Sequence, residues 1–232
     1  MLFRHSEAWY GLRDTAPLLL TIAPLAASFG ALASDQGESP WLILLCSTLV
    51  FAGAAQLIAV GMLAVDAPLE LILLTTLAVN CRHLLYAFSL IGHIAHLPKR
   101  WQAALAFVLN DETYAVLSQR PPSQSFHHYY LASGLAAWGS WVMGTGVGVL
   151  LQQQLPETVL RQLDIVLVLT FICLVVPTLH NRSRWLCALT AAAAISQCWH
   201  WPMGSGLLFS AVIAIAVGIT MHMHNQKTKE AC

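Results

Sequence analysis

Long apolar runs separated by short polar joints set the pattern of this chain. Runs at 15–33, 41–64, 69–91, 102–118, 129–151, 162–179, 184–199 and 203–222 approach the roughly 20 apolar residues that let a helix cross a bilayer. The joints are short and polar or proline-bearing, such as "SDQGESP", "VDAP", "GHIAHLPKR" and "HNRSR". Only "RPPSQSFHH" reads as a flexible loop, and no linker is long enough to separate domains. The pattern predicts an all-α, polytopic membrane helix bundle of seven or eight spans, forming one domain over residues 1–232.

Composition agrees. The 232 residues are 57% hydrophobic and 9% charged, against about 25% charged in a soluble domain. Net charge is zero, so there is no polybasic signature for nucleic acid. "ALAS" at 31–34 resembles a signal-peptidase site. The run before it is long and contains Pro17 and Pro24, and Glu7 and Asp14 sit at its head, so it is read as the first membrane helix.

Lysine and arginine favour the cytoplasmic side of short loops. Eight spans with both ends inside, and seven spans with the N-terminus outside, each place seven such residues inside and three outside. The side of the N-terminus stays open, while the C-terminus is cytoplasmic in both versions. The cysteines, Cys46, Cys81, Cys173, Cys187, Cys198 and Cys232, form no C-x-x-C pair and are expected to be buried thiols. "HMH" at 222–224 is a weak metal pattern that a helix end explains equally well.

Three polar features interrupt the apolar runs. In "VFAGAAQLIAVG", Gly53, Ala54 and neighbouring alanines precede Gln56. Small residues here make either a packing seam or a helix break whose backbone lines a cavity. In "NCRHLLY", Asn80, Arg82, His83 and Tyr86 fall near the middle of a run. A charge there costs about 2.5–3.5 kcal/mol on insertion scales, so Arg82 must face protein or water. In "LNDETYAV", Asp111 and Glu112 offer counter-charges; the alternative is that 102–118 does not span and leaves them in water. Ser140, Gly144 and Gly148 form a small-residue stripe suited to close helix packing. There is no G-x-S-x-G, H-E-x-x-H or Walker motif, and no cofactor is called for.

"FAGAAQL" (51–57), "NCRHLLYAFSL" (80–90), "LNDETYAV" (109–116) and "WGSWVMGTGVG" (138–148) together resemble the AzlC family of branched-chain amino acid exporters, over about residues 11–222. The resemblance implies export of leucine, isoleucine and valine, with methionine a further candidate, across a bacterial inner membrane. It also implies a small hydrophobic AzlD-type partner subunit and proton coupling. Three positions depart from the family pattern: Ala55 for serine, Asn80 for aspartate, and Ala87 for a small glycine or serine. The second removes an acid beside Arg82.

The expected site lies between 41–64, 69–91 and 102–118. Gly53, Ala54, Gln56, Asn80, Arg82 and Tyr86 would bind substrate, and His83, Asp111 and Glu112 would handle protons. Arg82 is either the carboxylate anchor or the structural partner of Asp111. The competing readings are a channel or exporter for another small solute, and a membrane-embedded enzyme built on His83, Asp111 and Glu112.

Overall fold

The computed structural model describes residues 2–120, 125–152, 172, 176, 179, 182–198, 201 and 205–230, with the side chains of 2–6, 182, 205, 207, 208, 211 and 222–230 left aside. The expected span at 162–179 and the histidines of "HMH" therefore lie outside the described side chains. The described residues are helical: α1 (Leu2–Asp35), α2 (Pro40–Leu49), α3 (Gly53–Leu63), α4 (Leu69–Asn80), α5 (Arg82–Ile94), α6 (Lys99–Phe107), α7 (Asp111–Leu117), α8 (Phe126–Gln152), α9 (Arg182–Gln197) and α10 (Ser205–Glu230). No strand occurs among them.

Helices α1 and α8 form the spine and run parallel. Gly11 lies on the Tyr129 backbone, Gly144 on Ala23 and Ala26, and Gly148 on Ala27. A side chain on these glycines would strike the backbone of the facing helix, so the small stripe is what lets the two helices close together. Buried hydroxyls fasten the seam. Thr15 meets Ser133 at 2.6 Å, and Ser47 of α2 meets Thr145 at 2.9 Å. At the end where α1 begins, called here the N-terminal face, Arg120 joins Glu7 at 3.3 Å and Asp14 at 3.5 Å. Its guanidinium sits between the rings of Tyr10 and Tyr129.

Among the described residues, three helical stretches are long and apolar enough to cross a membrane: Glu7–Asp35, Leu69–Ile94 and Phe126–Gln152. The runs at 41–64 and 102–118 are not single spans. Each is a pair of half-length arms around a break. The 10 residues of α2 and the 9 of α6 reach about 15 Å, half a hydrocarbon core.

Both ends of each broken run lie on one face. The chain leaves α1 at Asp35, near Gln152 at the far end of α8, so α2 starts on the opposite face. It descends past Gly146 and Thr145 to Thr48, whose carbonyl accepts from Trp138 Nε1 at 3.1 Å. The break follows, and α3 returns beside α2: Gln56 Nε2 reaches Ser47 Oγ at 3.5 Å. From there α4–α5 crosses to the N-terminal face, where His93 meets Phe126. Trp101 of α6 packs there against His127 and His128. The tip of the second hairpin then enters the bundle, with Val108 against Gly134 and Phe107 against Trp138. Helix α7 brings the chain back to Arg120. A crossing followed by a hairpin thus occurs twice, in opposite senses.

Non-helical backbone is tolerated at membrane depth only where protein or water surrounds it. Here Phe51, Val108, Leu109 and Asn110 are buried, while Val50 at the start of the first break is exposed. By contrast, α4–α5 turns Leu73, Leu77, Leu84, Phe88 and Ile91 outward, as a lipid-facing helix does. Helices α9 and α10 are antiparallel, with Gly206 on Cys198 and Gly218 on Cys187. The expectation of buried thiols needs correction at Cys81, which is exposed; Cys198 is buried and Cys46 and Cys187 are half-buried. Cys81 sits at the α4–α5 joint, on the outer side of a helix with few neighbours.

Candidate functional site

The two hairpin tips meet beside the α4–α5 joint and enclose a cavity. Leu25, Phe51, Ala52, Gly53, Ala54, Arg82, His83, Asn110, Asp111, Glu112 and Trp141 line it. Each tip arrives as a helix N-terminus. At α7 the local sequence explains the break: Asn110 is extended and its side chain accepts from the Thr113 N–H at 2.8 Å. An asparagine cap before two acids is a strong start signal. At α3 the start has no side-chain cap. The first intrahelical bond runs from the Gln56 N–H to the Ala52 carbonyl at 3.0 Å. A helix's earliest N–H groups lack partners within it, so this end favours an anion.

Gly53 is set by what lies beyond it. A Cβ there would sit 2.6 Å and 2.7 Å from ring carbons of Trp141. Gly53→Ala is therefore expected to displace the tip or the indole and to cost about 1–3 kcal/mol. Combining it with Trp141→Phe should recover much of that loss. Melting temperatures of the purified single and double variants check this: equal melting of Gly53→Ala and the parent would refute the contact.

The charges are paired. Arg82 Nη2 lies 2.7 Å from Asp111 Oδ2, with 24% of the Arg82 side chain and 12% of the Asp111 side chain exposed. The Tyr86 hydroxyl donates to Asp111 Oδ1 at 2.7 Å. Asp111 is thus held on both oxygens by α5. Glu112, the next residue, points elsewhere and lines the cavity. His83 Nδ1 lies 3.1 Å from the Asn80 carbonyl, and its ring meets Tyr86 edge to face. Arg82 Nε and Trp141 Nε1 are buried without hydrogen-bond partners. Such donors are rare in protein interiors, where they leave polar capacity for water or a ligand.

Among the expected residues, the structure brings Gly53, Ala54, Arg82, His83, Asp111 and Glu112 to the cavity wall. Three others stand behind it. Tyr86 braces Asp111 and stacks on Tyr114 at 4.3 Å between centroids. Gln56 is 4% exposed and turns back toward Cys46 and Ser47, where it ties the arms of the first hairpin. The Asn80 Oδ1 is buried without a partner. Sequence reasoning missed Asn110 as a wall residue, although the N-x-x-T cap could have shown it. It also missed Leu25, Phe51 and Trp141, whose apolar types carry no signal until the hairpins are placed.

The cavity is small. It admits the centres of water-sized molecules over about 20 Å³, room for about one water and not an amino acid. A larger solute must widen it by moving a hairpin tip.

The family described as AzlC protein matches residues 17–155, which contain both hairpins, α4–α5 and α8. The inner membrane protein YgaZ of Escherichia coli is 32% identical over 142 residues, covering 60% of this chain and 58% of that protein. The matched stretch is thus less than two thirds of that relative. A membrane protein of Helicobacter pylori is 26% identical over 189 residues, covering 78% of this chain and 82% of its own. One from Archaeoglobus fulgidus is 29% identical over 192 residues, covering 82% and 83%. No solved structure matches. With the matching region spanning α8, the second half of α1, both hairpins and every wall residue of the cavity, this multi-pass membrane chain belongs to the AzlC family.

Proposed function

We propose that the chain is a secondary transporter that exports the branched-chain amino acids leucine, isoleucine and valine, with methionine a further candidate, through the cavity between the hairpin tips. The observation that carries this is the lining itself. A cation (Arg82), two carboxylates (Asp111, Glu112) and an uncapped helix start (Gly53) stand beside an apolar wall of Leu25, Phe51, Ala54 and Trp141. A zwitterion with an uncharged branched side chain complements that set. The carboxylate would sit against the α3 start and Arg82, and the ammonium against Glu112. Proton coupling would use Glu112 and His83, which line the cavity outside the Arg82–Asp111 pair.

The hairpin topology supports an orientation. Among residues 1–152, Arg4, Arg13, Lys99, Arg100 and Arg120 belong to the N-terminal face, and Arg82 is central. The opposite-face turns carry Asp35, Glu38, Asp66 and Glu70 and no lysine or arginine. Positive charge marks the cytoplasmic side, so the N-terminal face is assigned to the cytoplasm of an inner membrane. A further crossing at 162–179, as hydropathy expects, would return the C-terminus to the same side. A small AzlD-type subunit is proposed as partner, without ATP.

The test is efflux of labelled leucine and methionine from vesicles, with and without the small partner and a pH gradient. Glu112→Gln is expected to abolish the response to the pH gradient and also to weaken counterflow exchange, because the substrate ammonium loses its counter-charge. Arg82→Gln is expected to lower both. Unchanged export by a folded Arg82→Gln protein would remove the site assignment.

A further inference from the structure

We propose that the cleft between α5 and α7 is the loading vestibule of the transporter, and that the stacked Tyr86–Tyr114 pair is the gate between it and the central cavity. This rests on the export reading for the identity of the solute, but not for the route of water.

The two helices leave the central cavity side by side and run to the N-terminal face. Along them lies a second, larger space of about 360 Å³, with Ser89, His93, Tyr114, Ser118, Gln119 and Arg120 among its walls. Its volume falls within the range of small-molecule pockets, about 300–1,000 Å³. Its walls mix these polar groups with Leu90, Leu117 and Phe126, and Ser89, His93, Ser118 and Gln119 are exposed. His93, Ser118, Gln119 and Arg120 lie toward the N-terminal face, where water meets the open end of the cleft, and Ser89 carries a polar side chain further in.

Between the two spaces stands one aromatic layer. Tyr86 and Tyr114 stack with rings 12° from parallel. The inner edge of the layer is bonded to the central site, because the Tyr86 hydroxyl donates to Asp111 at 2.7 Å. The outer edge is bonded to the vestibule, because the Tyr114 hydroxyl donates to Ser89 Oγ at 3.2 Å. Tyr114 lines the vestibule and does not line the cavity, while Asp111 does the reverse. Anything passing from the N-terminal face to Arg82 along this cleft must push these rings apart. Substrate binding that displaces the Asp111 carboxylate would release Arg82 and Tyr86 together, so occupation of the inner site and opening of the gate share one carboxylate.

The experiment uses the full chain in vesicles of known orientation and a charged, membrane-impermeant methanethiosulfonate reagent. Labelling is read residue by residue by mass spectrometry, so native cysteines do not interfere. Ser89→Cys and Ser118→Cys are expected to label from the N-terminal face only, and Ala54→Cys in the central cavity to label slowly from that face. Adding Tyr114→Leu should raise Ala54→Cys labelling from that face about tenfold, the shift a lost aromatic stack can give. Tyr114→Phe, which keeps the stack and loses the Ser89 bond, should raise it less. Labelling of the Ser89→Cys and Ser118→Cys variants from both faces or from neither overturns the vestibule. Unchanged reactivity of Ala54→Cys in a folded protein that also carries Tyr114→Leu overturns the gate. Leucine flux is measured in the same vesicles. Flux without vestibule labelling refutes this inference alone; one-sided labelling without flux of any amino acid refutes the export reading and leaves the water path standing.

Discussion

Asp111→Ala is expected to produce the largest loss of stability of any single polar substitution in the chain. The change leaves the Arg82 guanidinium largely buried beside an apolar wall with its 2.7 Å partner gone. Removing one member of a buried pair costs about 3–5 kcal/mol, because the remaining charge stays desolvated. The 24% exposure of Arg82 places this case toward the lower end. The Tyr86 hydroxyl loses its acceptor in the same step. The informative comparison is Arg82→Met with Asp111→Leu. Replacing both charges by apolar groups of similar size is often neutral, so the double variant should melt near the parent while exporting nothing. Thermal unfolding in detergent and vesicle efflux, on one set of preparations, give both numbers. A double variant as unstable as Asp111→Ala would show that the pair is not what the fold misses.

Gly148→Leu is the second large expectation, and it acts on the fold alone. Gly148 faces the backbone of Ala27, where even a methyl group has no room. A leucine must push α1 and α8 apart along their whole seam, which unseats Thr145 and Gly144 as well. Overpacking a tight contact costs about 1–3 kcal/mol where neighbours can give; backbone cannot, so the folded protein should be lost. Gly139→Leu on the same helix is the control, since nothing lies within 4 Å of a Cβ there. Yield of monodisperse protein separates the two. Equal yields would mean that the small stripe serves no seam within the chain.

Hydropathy made the helices and the membrane legible, and small-residue spacing the stripe on α8, because each depends on local residue type; that α1 is the helix packed on the stripe was not. That Asp111 and Glu112 are the counter-charges within reach of Arg82 was legible too, since a charge in an apolar run needs an opposite one; which of the two pairs with it was not. The doubling back of 41–64 and 102–118 was not. An apolar run of about 20 residues reads the same whether it crosses or turns at Val50–Ala52, and hydropathy counts residues without direction. The side of the N-terminus stayed open for the same reason: spans counted wrongly scatter the lysines and arginines over both faces. Gln56 shows a subtler limit. A buried amide needs partners, but sequence does not say which: here its nitrogen donates to Ser47 and Cys46 on the neighbouring arm, while its oxygen is buried without a partner.

The contact of both hairpin tips with α8 has a consequence for how the protein is made. Gly53 rests on Trp141, and Val108 rests on Gly134. Chains emerge from the ribosome N-terminus first, so both tips are translated before the wall that receives them. Until α8 arrives, the breaks at Val50–Ala52 and Val108–Asn110 have no place to bury their unpaired backbone. The hairpin tips gain that burial only when α8 is in place, so a single later helix completes both walls of the central cavity.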